Sequence, residues 1–211
     1  MSYKRKAPYG SWESPITSDV ITSDSISIGE IHLDDHDTYW TEMRPEEGGR
    51  YVIIKRDKDG ITTNLTPPEF NVRTRVHEYG GGSFCVSQGT IYFSNFDDQR
   101  IYCQPLDSSP TPITPEISMR YGDSILDDLN QRMICIREDH SSTWQEPINS
   151  IVSLNLKNGS SRVIVSGYNF YASPCLSPDG SKLAWLAWNH PNMPWDGTQL
   201  WVGAFNDNGD I

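Results

Sequence analysis

Strand-like runs, in which apolar and polar residues alternate, recur along this chain, and each run is followed by a tight turn. The turns fall at Gly60, Ser109, Gly159 and Gly209, so successive turns are 49, 50 and 50 residues apart. The runs that precede them cover residues 51–56, 100–106, 150–156 and 199–205. A repeat of about 50 residues made of short strands is typical of a β-propeller blade, which is one four-stranded sheet.

The repeat predicts an all-β fold, a partial β-propeller of about four blades. Because propellers close with about four to eight blades, we expect an incomplete ring whose last blade is itself incomplete. The expected organisation is an extended N-terminal lead-in over residues 1–24 and a partial propeller over residues 25–211. Nowhere does the apolar periodicity predict a helix of three turns.

The sharpest turn signal is LSPDGSKLAW, residues 176–185, in which Gly180 accepts a left-handed backbone conformation. The earlier segment LDDLNQRMIC, residues 126–135, matches it in phase and has Asn130 where the later one has Gly180. Asn is the next most tolerant residue for positive φ. We therefore expect Asn130 to adopt a positive φ as well.

Aromatic residues and cysteines in the strand-like runs are the expected core. Four aromatic residues in alternating strands are expected to be buried: Tyr39, Trp40, Trp185 and Trp188. Four cysteines also lie in strand-like context: Cys85, Cys103, Cys135 and Cys175. They include no CxxC pair, so zinc-site spacing is missing. We interpret them as small buried hydrophobic residues.

The formal charge of −11 narrows the choice of partners. Nucleic acids and anionic membranes select basic surfaces, so neither is expected as a partner. The N-terminal segment MSYKRKAPYG has no apolar stretch of the kind found in a signal peptide, and no apolar run is long enough to span a bilayer. The cytosol is the expected compartment. Walker, dinucleotide-binding and H-E-x-x-H motifs are missing as well, so neither a cofactor nor a metal is expected.

Four segments carry a resemblance to a known family. They are PYGSWESPITSD (8–19), YWTEMRPEEGGR (39–50), TRVHEYGGGSF (74–84) and LSPDGSKLAWLAWNHPNMPWDGTQLWV (176–202). The chain resembles the N-terminal propeller of prolyl oligopeptidase-family serine peptidases, in their dipeptidyl aminopeptidase and acylaminoacyl peptidase-like branch. The resemblance implies a propeller, commonly seven-bladed, that precedes an α/β-hydrolase domain, covers its active site and admits short or unstructured peptides.

The catalytic serine of such an enzyme requires a strained elbow, normally G-x-S-x-G, followed by Asp and His. No G-x-S-x-G motif occurs in this sequence. The nearest fragments, which begin at Gly81, Gly122 and Gly159, each lack the second glycine. No catalytic residue is therefore predicted, and this chain on its own is not expected to hydrolyse peptides.

The first candidate binding loop precedes and includes the glycine run 80–82. Its candidate substrate-binding residues are Arg75, His77 and Glu78. A carboxylate such as Glu78 suits a free α-amino group, and Arg75 suits a carbonyl or carboxylate group. In the alternative interpretation Arg75 and Glu78 pair within the loop, and the glycines only allow the blade to begin near the axis.

The second candidate loop is NHPNMPWDG, residues 189–197. Its candidate substrate-binding residues are Met193, Trp195 and Asp196, which combine an apolar contact surface with a carboxylate. In the family that the chain resembles, a loop of this type lies toward the hydrolase domain. In the alternative interpretation, Trp195 packs under its own blade.

Two functions from different classes follow. The first is the non-catalytic propeller portion of a prolyl oligopeptidase-family peptidase, which gates and helps to bind peptide substrate for an absent hydrolase domain. The second is a free-standing propeller fragment that acts as a protein-interaction module. In either case we expect open strand edges and exposed apolar flanks on the first and last blades, which favour edge-to-edge homo-oligomers.

Overall fold

Each predicted repeat folds into an antiparallel sheet, and the four sheets follow one another along the chain. The computed structural model describes residues 6–22, 25–142 and 144–211. Blade 1 consists of β1 (Ser27–Asp34), β2 (Asp37–Arg44), β3 (Arg50–Arg56) and β4 (Thr62–Asn64). Blade 2 consists of β5 (Phe84–Ser87), β6 (Thr90–Ser94), β7 (Ile101–Pro105) and β8 (Thr111–Pro112).

The third and fourth sheets repeat the same meander, with strands in chain order. Blade 3 consists of β9 (Met119–Asp127), β10 (Arg132–Asp139), β11 (Ile148–Asn155) and β12 (Ser161–Val165). Blade 4 has three strands, β13 (Phe170–Leu176), β14 (Lys182–Trp188) and β15 (Gln199–Ala204). The first strands of neighbouring blades contact one another, which arranges the four blades around an axis as a partial propeller.

Helix is confined to two short segments within the described residues. They are α1 (Ser18–Thr22), which has five residues and lies in the lead-in, and a 3₁₀ turn (Pro45–Glu47) of three residues between β2 and β3. The all-β prediction is therefore confirmed.

The evenly spaced turns mark the same position in successive blades. Gly60 lies between β3 and β4, Ser109 between β7 and β8, and Gly159 between β11 and β12, while Gly209 follows β15. The glycines at these sites have positive φ, and the Gly60 N–H donates to the Asp57 carbonyl at 3.0 Å. The repeat read from the sequence is thus the blade repeat.

The prediction for the β9–β10 turn is wrong by one residue. Gly180 has a φ of +68°, as expected, but in the equivalent turn the positive φ belongs to Gln131, at +51°. The Asn130 side-chain amide instead donates to both carboxylate oxygens of Asp127, at 3.1 and 2.9 Å. Because this side chain holds the turn, the left-handed step falls one position later.

The apolar core lies between neighbouring blades. Between blades 1 and 2 it includes Tyr39, Ile53, Val72, Phe84, Ile91 and Phe93. Between blades 2 and 3 it includes Cys85, Ile101, Tyr121, Met133, Cys135 and Val152. Between blades 3 and 4 it includes Ile134, Ile136, Ile151, Tyr171, Leu183 and Trp185. A blade with neighbours on both sides is therefore apolar on both faces, as the buried run 133–136 of β10 shows.

The core predictions hold with three exceptions, Trp40, Cys103 and Cys175. Tyr39, Trp185 and Trp188 are buried, but Trp40 is half-buried and its indole N–H donates to Glu42 Oε1 at 2.9 Å. All four cysteines lie in strands, as predicted. Two of them are buried and Cys103 is half-buried, whereas Cys175 is exposed on β13.

The outward faces of the first and fourth blades carry exposed apolar side chains. On β1 these are Ile28, Ile31 and Leu33, and on β15 they are Leu200 and Val202. The prediction that these flanks expose apolar surface is confirmed. Inside the stack, equivalent positions are covered by the next blade.

The Gly159 turn is expected to tolerate a side chain much less well than the equivalent Gly60 turn. Both residues have positive φ, so Gly60→Ala should cost about 1–2 kcal/mol of unfolding free energy through backbone strain alone. A Cβ at Gly159 would also collide with the Ile113 carbonyl of the preceding blade, whereas at Gly60 the nearest atom is an Arg56 guanidinium nitrogen at 3.5 Å. Gly159→Ala should therefore cost about 3 kcal/mol. Urea unfolding of both variants measures the difference, and equal losses would contradict it.

The four cysteines should differ sharply in reactivity. Burial raises the pKa of the Cys135 thiol to about 12 and raises that of Cys85 as well, so neither forms the reactive thiolate readily. Alkylation of the native protein by iodoacetamide at pH 8 should therefore modify Cys175 first and leave Cys85 and Cys135 protected. Mass spectrometry reads the order of modification, and the same reaction in urea is the control in which all four should react. Early modification of Cys135 in the native protein would refute this.

Candidate functional site

The connection between blades 1 and 2, residues 65–83, reaches across to the far side of the propeller. Val72 packs into the core between blades 1 and 2, but Val76 packs into the core between blades 3 and 4. Between them, the Thr74 hydroxyl donates to the Tyr121 carbonyl of β9 at 2.6 Å. This segment therefore delivers the first candidate loop, which follows Val76, to the junction of blades 3 and 4.

His77 is buried at that junction, with a side chain that is only 5% exposed. Its Nε2 lies 2.9 Å from the carbonyl oxygen of Tyr171. A carbonyl oxygen only accepts hydrogen bonds, so Nε2 carries the proton. Its ring also contacts the rings of Phe170 and Trp188, at centroid distances of 5.6 and 5.5 Å. Sequence reasoning singled out His77, but not its partners, of which these three come from blade 4.

Glu138, at the end of β10, is the buried anion beside His77. Its carboxylate accepts the backbone N–H of His77 at 2.7 Å and lies 3.0 Å from His140 Nε2. Arg120 Nη1 is 3.9 Å away. The carboxylate also lies 3.5 Å from His77 Nδ1, an atom that has no hydrogen-bond partner among the described residues. Glu138 was not predicted, since nothing in the sequence links it to a loop 61 residues away.

Glu78 and Arg75 do not pair with each other as the alternative interpretation supposed. Arg120 of β9 donates to Glu78 Oε1 at 2.6 Å, and this hydrogen bond lowers the pKa of the Glu78 carboxyl group. The Arg75 guanidinium lies 5.2 Å from the centre of the Phe96 ring, while the Arg75 carbonyl accepts a second hydrogen bond from Arg120. Glu78 remains open to solvent, with a side chain that is 74% exposed.

The second candidate loop, residues 189–197, is a compact turn that holds its tip away from the blade. The Met193 N–H donates to Asp196 Oδ2 at 3.1 Å, and the Asp196 N–H donates to the Met193 carbonyl at 2.9 Å. Trp195 is 76% exposed, so the interpretation that it packs under its own blade is wrong. His190, at the base of the loop, makes an edge contact with Phe170 at 4.8 Å. The sequence did not single out His190.

The two loops meet at one cleft, of about 240 Å³, which opens at the end of blades 3 and 4. His77 and Glu78 line it, whereas the other four predicted residues (Arg75, Met193, Trp195 and Asp196) do not. The remaining lining residues that matter for its chemistry are Glu138, Glu146, Asn149, Phe170 and His190. One wall is therefore aromatic and the other carries carboxylate and amide oxygens.

Residues 6–22, 25–142 and 144–211 contain neither a cluster of side chains arranged as a metal site nor a helix suited to crossing a membrane. There, no group of three His, Cys, Asp or Glu side chains is arranged to hold a metal ion. In the same ranges, no helix combines the length and the apolar character that a bilayer crossing requires.

The Glu78 carboxyl group is expected to titrate below its ordinary value of 4.5 because Arg120 stabilises its charged form. Arg120→Gln should therefore raise the pKa of Glu78, which a ¹³C NMR titration of the side-chain carboxyl groups measures. Since folding lowers this pKa, the pair stabilises the fold above pH 4.5, and the contribution is lost as the pH falls through the lowered value.

A matched control removes a different arginine. Arg162 pairs with Asp210 at 2.6 Å on blades 3 and 4, far along the chain from Glu78. Arg162→Gln should leave the Glu78 titration unchanged. If Arg120→Gln also leaves it unchanged, the assigned cause of the pKa shift is wrong.

Comparison with known proteins gives structural matches but no match by sequence family. No family model and no curated protein matches the chain. Among solved structures, puromycin hydrolase superposes with a TM-score of 0.87 and 30% identity, over 97% of this chain and 34% of that one. A puromycin-hydrolysing peptidase of Mycobacterium tuberculosis superposes with a TM-score of 0.86 and 37% identity, over 98% of this chain and 34% of that one.

More distant matches share the fold alone. The acylaminoacyl peptidase of Pyrococcus horikoshii has a TM-score of 0.57 and 9% identity, over 86% of this chain and 31% of that one. The chain thus spans about a third of the length of the puromycin-hydrolysing peptidases that it matches. Those matches confirm that this chain resembles the propeller region of the prolyl oligopeptidase family of peptidases.

Proposed function

We propose that this chain is the non-catalytic propeller portion of a prolyl oligopeptidase-family serine peptidase and that it gates and helps to bind peptide substrate. The observation that carries the proposal is the match to two puromycin-hydrolysing peptidases, at 30% and 37% identity over almost the whole chain. Identity at this level extends through the blades and the lead-in, so it reflects more than a shared propeller architecture.

The cleft at the end of blades 3 and 4 supports a role in binding. It is concave, and it combines an aromatic wall with a few polar groups, the usual composition of a ligand site. His77 and Glu78 are the predicted residues that we assign to peptide contact. Arg75, Met193, Trp195 and Asp196 lie outside the cleft lining, and we assign them to the path by which a peptide approaches.

Catalysis in this proposal belongs to an α/β-hydrolase domain that this sequence does not contain. The chain has no G-x-S-x-G elbow to activate a serine. In this proposal the chain supplies the cleft, whose residues the strands hold in place while a peptide passes along them. The substrates in this proposal are short or unstructured peptides, as the resemblance to the family implies.

A labelling and binding experiment tests both parts of the proposal. The purified chain should release no chromophore from aminoacyl nitroanilides and should not react with a fluorophosphonate probe. In ¹H–¹⁵N NMR spectra, an unstructured octapeptide should shift the signals of His77, Asn149 and Phe170, and a small folded domain should not. The exposed turn at Gly60, on another blade end, is the internal reference.

Two outcomes would overturn this proposal. Stoichiometric labelling of one serine would show that the chain carries its own catalytic centre. Peptides that leave every cleft signal unmoved would remove the binding role.

A second candidate, a protein-interaction module, is favoured by one further observation. Three exposed aromatic residues, Tyr79, Trp144 and Trp195, lie on three loops that also contribute residues to the cleft. Exposed Trp and Tyr are the residues that most often anchor protein interfaces. If the octapeptide does not bind, Trp144→Ser and Trp195→Ser would show whether binding of a captured partner protein depends on these exposed aromatic residues.

A further inference from the structure

Two neighbouring arginines are exposed on the connection between blades 1 and 2. Arg73 and Arg75 are exposed while Thr74 between them is buried, so both arginine side chains leave the extended segment on its outer side. The Arg73 N–H donates to the Ser94 carbonyl at 3.1 Å. The Arg75 N–H donates to Gln99 Oε1 at 2.8 Å, so the backbone beneath both side chains is fixed. The structure therefore presents two positive charges side by side on a rigid base.

Both guanidinium groups lie over one aromatic ring, that of Phe96. The Cζ atom of Arg73 is 5.1 Å from the ring centre, and that of Arg75 is 5.2 Å from it. Arg73 also lies 5.8 Å from the centre of the Tyr51 ring. An arginine that stacks on a ring keeps the N–H edge of its guanidinium plane available, and that edge matches a carboxylate through two parallel hydrogen bonds. The ring thus restrains both arginines without blocking them, which lowers the entropy lost on binding.

These two cations lack the carboxylate partner that similar cations in the chain possess. Lys55 and Arg132 also lie over aromatic rings, and each pairs with an aspartate, at 2.6 and 2.7 Å. Arg73 and Arg75 form no ion pair with any described residue. Although the chain carries a formal charge of −11, its described carboxylates leave these two positive charges without a direct partner.

The Glu78 carboxylate, which lies near Arg75, is already bonded elsewhere. Arg120 donates to Glu78 Oε1 at 2.6 Å, and this hydrogen bond is the main cause of the lowered pKa of Glu78. The charge of Arg75 makes a smaller contribution to the same pKa shift, but no ion pair joins the two residues. An acidic group of another molecule can therefore reach the N–H edges of Arg73 and Arg75 without displacing an ion pair.

The arginine pair lies at the same end of the propeller as the cleft. Phe96 is in the turn between β6 and β7, and the equivalent connections of blades 3 and 4 contribute residues to the cleft lining. Arg120 links the two places, since it donates to Glu78 of the cleft lining and, at 3.0 Å, to the Arg75 carbonyl. A peptide that occupies the cleft thus lies beside the arginine pair.

We propose that Arg73 and Arg75, held against Phe96, bind a carboxylate group of a peptide. The inference rests on the proposed function and deepens it, because it gives the approach path of the peptide a preference for acidic groups. Two groups share this chemistry, the α-carboxylate at the end of a peptide and the side chain of an aspartate or glutamate. In this site Phe96 positions the two guanidinium groups.

Three N-acetylated probes test the site and separate the two sources. They are acetyl-Gly-Gln-Gly with a free carboxyl end, acetyl-Gly-Glu-Gly-amide, and acetyl-Gly-Gln-Gly-amide, which is neutral. Titration of the full ¹⁵N-labelled chain at pH 7 gives a Kd for each, and the Nε–H signals of Arg73 and Arg75 report contact. At least one acidic probe should bind about fivefold tighter than the neutral probe, as expected for an exposed ion pair of good geometry. The preference should shrink as salt is added.

Variants then assign the preference to the named residues. Arg73→Gln and Arg75→Gln replace exposed side chains, so both should fold normally. Each should reduce the preference to about twofold or less and leave the neutral probe unaffected. Arg75→Lys keeps the charge but loses the planar fork, so it should reduce the preference as well. Arg56→Gln is the matched control and should change nothing, because Arg56 is an exposed arginine of β3 that lies over no aromatic ring among the described residues.

The outcomes also separate this inference from the proposed function. If all three probes bind equally, or if Arg56→Gln weakens the acidic probes as much as Arg73→Gln does, the carboxylate site is wrong while octapeptide binding in the cleft is unaffected. If Arg75→Lys keeps the full preference, the planar geometry does not bind the acid and the site as proposed is wrong. If the acidic probes bind through Arg73 and Arg75 but the octapeptide shifts no cleft signal, the carboxylate site holds and the peptide role of the cleft falls.

Discussion

Carboxylates on the innermost strands accept backbone N–H groups from neighbouring blades, and the rest of the structure depends on these contacts. The first strands of blades 1, 3 and 4 each contain a β-bulge opposite the second strand. Asp123, in the bulge of β9, accepts the N–H of Gly82 and, at 2.8 Å, that of Ser173 in the bulge of β13. Glu30, in the bulge of β1, accepts the Ser83 N–H at 2.8 Å. Ser83 is buried, and a buried donor without a partner costs about 1–3 kcal/mol, so the Glu30 carboxylate holds the connection against blade 1.

The contacts of Asp123 explain the glycine run 80–82, because the space beside this carboxylate does not accommodate further side chains. A Cβ on Gly81 would lie 2.8 Å from Asp123 Oδ1, and one on Gly82 would lie 3.1 Å from the same atom. The connection from blade 1 can therefore press directly on β9, where a Cβ on Gly122 would in turn meet Val76 at 3.2 Å. Because the segment lies this close to the axis, Val76 and His77 reach the junction of blades 3 and 4. The glycines allow the backbone to approach β9 closely, whereas the residues that precede them supply the side chains that line the cleft.

The sequence predicts the blade repeat clearly but predicts the residues of the cleft only in part. Turn residues such as Gly60 and Gly159 act locally, so their spacing predicts the blades. The cleft depends on contacts between distant positions: His77 is 61 residues from Glu138 and 94 from Tyr171. No local sequence pattern indicates that Arg120 forms an ion pair with Glu78. A pair between Arg75 and Glu78 was therefore an equally reasonable prediction. Residues 137–140 at the end of β10 are four consecutive ionisable residues, and this run was the available signal for Glu138 and His140.

The cleft is ordered with a strained backbone at His77 and Glu78. Their φ values of +58° and +64° place two consecutive non-glycine residues in the left-handed region, which costs about 1–2 kcal/mol for each. That conformation directs the His77 N–H at Glu138 Oε1, and a hydrogen bond to a charged group contributes about 1.5–3 kcal/mol. Arg120 adds a second such bond by holding Glu78 and the Arg75 carbonyl together. The strain is thus offset by contacts that exist only when blade 3 is in place, so the loop takes its binding geometry from the assembled blades and not from its own sequence.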